Sequence, residues 1–294
     1  RGVGTIPFLT GVAYFRENHL VIEQFFLRNP SSEKKYLERI ESLLLRFPYL
    51  VTYNGKSFDV PLLANRLTLH RKKRPLPVLH FDLLHILRRL YPGRVLGSYA
   101  QSRMEKEILG FERLDDISGA AIPQIYFDFV KYGLDDQLDA VFDHNGRDLM
   151  GLALLFLAAI QLYEKRTINH SALRSGLARI LSRNQREAEA IALLEGGPSH
   201  PDLLYRDRLL LASLYRKQSR YKESLQLFEE IEKQFGCPYA LLCVARLQER
   251  IFGNVKAALK ATESLMGLVH QRRSRLFAVE QLEKRRDRLR QKLA

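Results

Sequence analysis

The 294 residues contain no tryptophan, only two cysteines and only three methionines. Two cysteines, Cys237 and Cys243, cannot build a disulfide framework or a zinc site alone, so the fold must rest on a hydrophobic core. They are expected to be reduced and buried, as in a cytoplasmic protein. No stretch of about 18 apolar residues is free of charge, so no membrane-spanning segment is expected. The longest apolar run, residues 149–160, has the length of a buried helix. A secretory leader pattern is also missing. The chain opens on Arg1 rather than Met, which leads us to expect a segment upstream of it.

Acidic residues are in short supply, with 33 against 47 Lys and Arg, for a net charge of +14. The excess is uneven. Residues 1–165 carry 22 basic and 19 acidic groups, and residues 166–294 carry 25 and 14. Within the first part, residues 51–100 are strongly basic, whereas residues 101–150 hold 5 basic and 11 acidic groups. A basic surface favours a polyanionic partner such as nucleic acid, and equally favours simple solubility. At 46% hydrophobic and 27% charged, the chain reads as globular, with one large domain or two smaller ones.

Residues 8–15 and 20–27 are apolar and β-prone and flank the polar stretch 16–19, which predicts a hairpin. Leu37, Ile40, Leu43, Leu44 and Phe47 follow at helical spacing after the Ser31-Ser32 cap signal, and Pro48 stops that helix. Residues 49–53 form a short strand, Asn54-Gly55 a turn, and a helix runs from about 57 to 69. A strand at 78–81 leads to Asp82, which opens a helix through Leu90. A hairpin followed by alternating strands and helices implies an α/β domain with a mixed sheet over residues 1–165. The adjacent pairs Asp115-Asp116 and Asp135-Asp136 read more readily as helix caps than as metal ligands. A long helix begins at Asp136 and runs to Glu164, with a break expected near Asn145-Gly146.

Residues 166–294 carry no strand signal. Self-comparison aligns Leu177-Ala178, Leu181 and Ala190 with Leu211-Ala212, Tyr215 and Ser224, and then with Ala245, Glu249 and Ala258, at an offset of 34. Three helix–turn–helix units at that period resemble tetratricopeptide repeats; a non-repeating helical bundle is the alternative. From Arg272 onward the chain holds 9 basic and 3 acidic residues, read as a solvated capping helix or as a nucleic-acid contact.

Two segments carry chemistry. Asp59 follows a strand end and a turn, where an α/β sheet binds ligands, although a helix-terminal acid favoured by the dipole would sit there too. His144 and Asp148 are four apart, on one helical face, where they can hold a metal ion and a water together. Arg71-Lys72-Lys73-Arg74 forms a basic loop, either merely solvated or in contact with phosphates.

The wider wording is more specific. Residues 52–63, Thr-Tyr-Asn-Gly-Lys-Ser-Phe-Asp-Val-Pro-Leu-Leu, are followed by His-Phe-Asp-Leu-Leu-His at 80–85, by Ile122-Pro123, and by His144-Asn145 with Asp148. Over residues 1–160 this resembles motifs II and III of the DEDD 3′–5′ exonucleases, in the YprB-like branch of the ribonuclease H-like superfamily. The resemblance implies a two-metal phosphodiesterase holding Mg²⁺ or Mn²⁺ and acting on single-stranded ends of DNA or RNA. It implies that Asp59 reaches a metal mostly through water and that Asp148 ligates one directly. His144 would orient or deprotonate the attacking water, although its spacing to Asp148 is that of the subgroup using Tyr. Asn145 would share that task, Asn54 would fix the loop holding Asp59, and Asp82 would support the site or cap its helix. Arg66, Arg71, Lys72, Lys73 and Arg74, at the far end of the motif II helix, would bind the nucleic acid. The helical repeats would hold a protein partner or extend the nucleic-acid track. The family's motif I, an Asp-x-Glu on the first strand, belongs just before the segment that starts at Gly2. These 294 residues are therefore expected to hold two of the four metal carboxylates and to show little nuclease activity. The rivals are a catalytically inactive nucleic-acid-binding module and a repeat-based adaptor.

Overall fold

In the computed structural model, residues 5–71, 79–91, 97–113, 116–165, 171–272 and 279–294 are described. The chain divides into two compact units: residues 1–89 with 96–167, and residues 90–95 with 168–294.

The first unit starts with β1 (Leu9–Arg16) and β2 (His19–Phe26), antiparallel from Leu9↔Phe26 to Arg16↔His19. Only Glu17 and Asn18 lie between them. Glu17 takes a left-handed conformation at φ 54, as a two-residue hairpin loop requires. α1 (Glu33–Leu44) buries Tyr36, Leu37, Ile40 and Leu44, which form a core cluster with Leu27 and Leu67. β3 (Tyr49–Thr52) pairs in parallel with β4 (Leu79–Asp82), and α2 (Asp59–Leu69) lies between them in sequence. The four strands thus make two small sheets, which no strand joins among the described residues. α3 (Leu83–Leu90), α4 (Gln101–Leu109) and α5 (Ile122–Tyr132) follow, and the last two end on left-handed glycines, Gly110 and Gly133.

α6 (Leu138–Lys165) runs unbroken for 28 residues, through the Asn145-Gly146 pair where a break was expected. Packing overrides the local turn preference. Asn145 Oδ1 accepts a hydrogen bond from Gln24 Nε2 at 3.0 Å. β1 meets α6 so closely that a Cβ on Gly11 would lie 2.4 Å from that same oxygen. By length and composition, residues Leu138–Glu164 could cross a membrane, with a mean hydropathy of 1.3 over their best window. The expectation that no such stretch exists is corrected: it required a charge-free run, and α6 reaches the same hydropathy with a few charges in it. A mostly buried core helix meets the same two criteria; this one packs on β1, β2 and α4, yet only 11% of that window is buried.

The second unit is all helical: α7 (Ser171–Arg183), α8 (Glu187–Glu195), α9 (Leu204–Lys217), α10 (Tyr221–Phe235), α11 (Pro238–Arg250), α12 (Val255–Arg272) and α13 (Val279–Gln291). Consecutive helices pair as α7 with α8, α9 with α10, and α11 with α12. Small, fully buried residues mark the close contacts: Ala178, Ala212 and Ala245 on the first helices, and Ala190, Ser224 and Ala258 on the second. The second helices keep the 34-residue step. The first helices step by 34 and then 33, so the third copy sits one residue earlier than the sequence alignment placed it. Both cysteines are free and buried.

Candidate functional site

Asp82 ends β4 and directly precedes the helix it was expected to open, and only 3% of it is exposed. Its Oδ1 accepts from the backbone N–H of Asn54 at 2.7 Å and of Leu84 at 3.2 Å; its Oδ2 accepts from Lys56 N at 3.0 Å. One carboxylate therefore pins the loop after β3 and also caps α3. The loop is thus held by Asp82 gripping the Asn54 backbone, and Asn54 itself takes a left-handed φ of 62. Thr52 Oγ1 and His80 Nε2 lie 2.9 Å apart across the same pair of strands. Asp59 is the first residue of α2 and is exposed there.

The second cluster is built on α6, α4 and the segment after α4. Asp116 Oδ1 lies 2.7 Å from His144 Nδ1, and His144 Nε2 lies 3.5 Å from Asp148 Oδ2. Asp116 was read as a helix cap; it is the partner of His144 instead. Asp115 falls outside the described residues. Arg113 Nη1 donates to Asp148 Oδ1 at 2.7 Å and to Asp116 Oδ2 at 3.2 Å. The same guanidinium binds Glu105 through two bonds of 2.7 Å, from Nε to Oε2 and from Nη2 to Oε1. Gln101 Nε2 bridges Glu105 Oε1 at 2.9 Å and the Asp148 carbonyl at 2.7 Å.

Burial grades this network. Side-chain exposure is 1% for Glu105, 6% for Arg113 and 41% for Asp148, so the buried pair is the anchor and Asp148 its solvent edge. Hydrogen bonding to Glu105 pushes the Arg113 pKa further up, fixing its charge. Burial pushes Asp116 up, but hydrogen bonds from His144 and Arg113 outweigh it and hold the carboxyl below its ordinary value. Room for Glu105 comes from Gly151 on α6, where a Cβ would lie 1.8 Å from Glu105 Oε1. Sequence reasoning missed Arg113, Glu105 and Gln101. The available signal was a cation, Arg113, set among the acids that make residues 101–150 so negative.

The basic residues are partly redirected. Arg66, expected to meet nucleic acid, turns inward at 13% exposure. Its Nε donates to Glu33 Oε1 at 2.6 Å, Nη2 bonds Oε2, and His70 Nε2 lies 2.8 Å from that same oxygen. Burial pushes the Glu33 pKa up, and the hydrogen bonds from Arg66 and His70 pull it below its usual range. Arg71 is exposed, and Lys72, Lys73 and Arg74 fall outside the described residues. The basic C-terminal helix spends its charge internally. Arg285, Arg288 and Lys292 converge on Glu249 at 2.6, 2.9 and 3.1 Å, and Arg290 pairs with Glu263 at 2.7 Å.

Parallel β3–α2–β4, a hairpin, and a long helix carrying a His–Asp face make up an α/β domain. A family model of the RNase_H superfamily matches residues 2–160, and the chain belongs to that superfamily. Over 253 residues it is 32% identical to the uncharacterized protein YprB of Bacillus subtilis (strain 168), a match covering 81% of this chain. The chain spans 59% of the length of that relative. No solved structure matches it.

Ribonuclease H-like nucleases generally use divalent metal ions. A two-ion centre does not fit the described residues as they stand. Among them, no three His, Cys, Asp or Glu side chains converge where a metal could be held. One oxygen of Asp148 is already taken by a guanidinium.

Proposed function

We propose that the protein hydrolyses phosphodiester bonds in nucleic acid, as a 3′–5′ exonuclease on single-stranded DNA or RNA ends. The observation that supports this reading most is the Asp116–His144–Asp148 alignment on the family-matched part of the chain. With His144 Nδ1–H donating to Asp116, the ring presents Nε2 as an acceptor beside Asp148, the arrangement of an oriented general base. His144 Nε2 takes the proton of the attacking water, and Asp148 orients that water from the same face. Asn145 Oδ1 accepts from Gln24, so the water-orienting task expected of this residue falls to its Nδ2. Asp59 and Asp148 are the carboxylates of this chain that the reading assigns to Mg²⁺ or Mn²⁺. The helical unit, read as tetratricopeptide-like repeats, is assigned to a protein partner.

The test is digestion of single-stranded oligonucleotides labelled at either end, with Mg²⁺, with Mn²⁺ and with EDTA. Shortening from the 3′ end that needs a divalent ion and is lost in His144→Ala supports the reading. Binding without cleavage in every ion supports the second reading, a nucleic-acid-binding module without hydrolysis. The Arg113–Asp148 bond favours that alternative, because it already neutralises the carboxylate.

A further inference from the structure

On the other side of the β1–β2 hairpin from α6, a groove of about 620 Å³ runs between β2 and α1. Side chains alternate along a strand. Gln24 and Phe26 meet α6, Gln24 through the Phe142 carbonyl at 2.8 Å and Phe26 through a 5.2 Å ring contact with Phe142. Glu23 and Phe25 face the groove instead. Its α1 wall carries Lys35, Arg39 and Ser42, and Arg46 stands just beyond the end of that helix. The spacing of four and three residues places Lys35, Arg39 and Ser42 along one helical stripe, and all four residues are exposed. No ion pair engages Lys35, Arg39 or Arg46 among the described residues, although elsewhere in this unit buried cations are paired.

We propose that this groove is a nucleic-acid subsite, taking the backbone of a single strand along α1 and its bases toward β2. The proposal rests on the nuclease reading and adds a binding track that the Asp148 cluster does not supply. At about 1.5 Å per residue, Lys35 and Arg39 are roughly 6 Å apart along the helix, and Arg46 lies past the helix end at Leu44, farther along the same groove. A single small anion cannot meet all three cations; a polymer with repeated phosphates meets them in turn. The Arg46 guanidinium lies 5.7 Å from the rings of both Tyr14 and Phe47, giving a flat surface on which a base stacks. Phe25 and Leu43 supply an apolar lining. Glu23 and Glu38 decide between polyanions. An acidic peptide brings its carboxylates against theirs, whereas nucleobases bring amino donors that a carboxylate accepts.

The experiment measures binding of a labelled oligothymidylate and a mixed-sequence strand to the whole chain by anisotropy. EDTA is present so that nothing is cleaved, and salt is varied. Combining Lys35→Gln, Arg39→Gln and Arg46→Gln should weaken binding at low salt by ~10-fold or more. It should also flatten the log–log salt slope by about 2, at roughly 0.7 per lost phosphate contact. An unchanged melting temperature shows that the fold is retained, and Lys35→Arg with Arg39→Lys should keep wild-type affinity. Wild-type binding that survives the triple substitution with an unchanged slope overturns the groove and leaves the nuclease reading standing. No wild-type binding of any nucleic acid at low salt overturns both. Displacement by polyglutamate as effective as that by an oligonucleotide of equal charge overturns the assignment to nucleic acid.

Discussion

Arg113 Nη1 lies 2.7 Å from Asp148 Oδ1, so the carboxylate expected to face a metal ion faces a guanidinium. The guanidinium is held mainly by Glu105, whose side chain is 1% exposed. Arg113→Met leaves that buried charge unpaired, which costs about 3–5 kcal/mol. Denaturant unfolding of the chain should show this loss in the first unit's transition. Glu105→Gln together with Arg113→Met should recover part of it.

Asp148 sits at the solvent edge of the same network, so its removal should separate stability from activity. Asp148→Asn loses one half-exposed bond and should leave the melting temperature nearly unchanged. The rate of oligonucleotide digestion should fall by at least ~100-fold, the scale of a lost acid–base partner. Asp116→Asn should lower the rate as well, because it no longer fixes which ring nitrogen of His144 carries the proton. An unaltered rate in both variants would move the chemistry elsewhere.

Two glycines are predicted to be intolerant of a methyl group. Gly176→Ala puts a Cβ 1.8 Å from the Leu90 backbone oxygen, and backbone cannot swing aside. Gly151→Ala meets the Glu105 carboxylate at the same distance, and Arg113 clamps that carboxylate in place. Each should destabilise by about 1–3 kcal/mol or more, measured by thermal melting. Gly119→Ala, which meets nothing within 4 Å, is the control.

Acid should weaken the first unit through Glu33. Its folded pKa lies below the ordinary value because Arg66 and His70 hold the ionised form. The stability it contributes is therefore complete above the unfolded pKa of about 4.3 and is lost as pH falls through the folded value. Stability curves of wild type and Glu33→Gln should differ most above the unfolded pKa and converge as pH falls below the folded one. Parallel curves would remove Glu33 as the source.

In the second unit, Glu249 anchors the last helix through Arg285, Arg288 and Lys292. Glu249→Ala leaves Arg285, 11% exposed, without a counter-ion. Limited proteolysis should then cut within or just before α13 at protease levels that spare the wild type.

The hairpin, the strands at 49–52 and 79–82, and the helix pairs were readable because each is a local pattern of period 2 or 3.6. Asp59, His144 and Asp148 were readable as motif positions. The network around Asp148 was not, because Glu105, Arg113, Asp116 and Asp148 meet only through tertiary packing, and an Asp pair in a loop looks like a cap. Arg66 and the C-terminal arginines were misjudged for one reason. Composition counts charges, whereas their partners Glu33 and Glu249 lie 33 and 36 or more residues away. The unbroken α6 shows the same override, with Asn145 bonded to a strand 121 residues earlier in the chain.

A two-stranded sheet consists of nothing but rims. Among the described residues neither sheet has a third strand, and Phe15, Tyr49, Leu79 and Phe81 lie exposed along them. Such rims invite pairing with another copy. Mutual repulsion of molecules each carrying +14 opposes that pairing. Repulsion of that kind reaches only about 10 Å in 0.1 M salt and about 3 Å at 1 M. The preparation should therefore behave contrary to ordinary salting-in: clear when dilute in salt, and turbid as ionic strength rises.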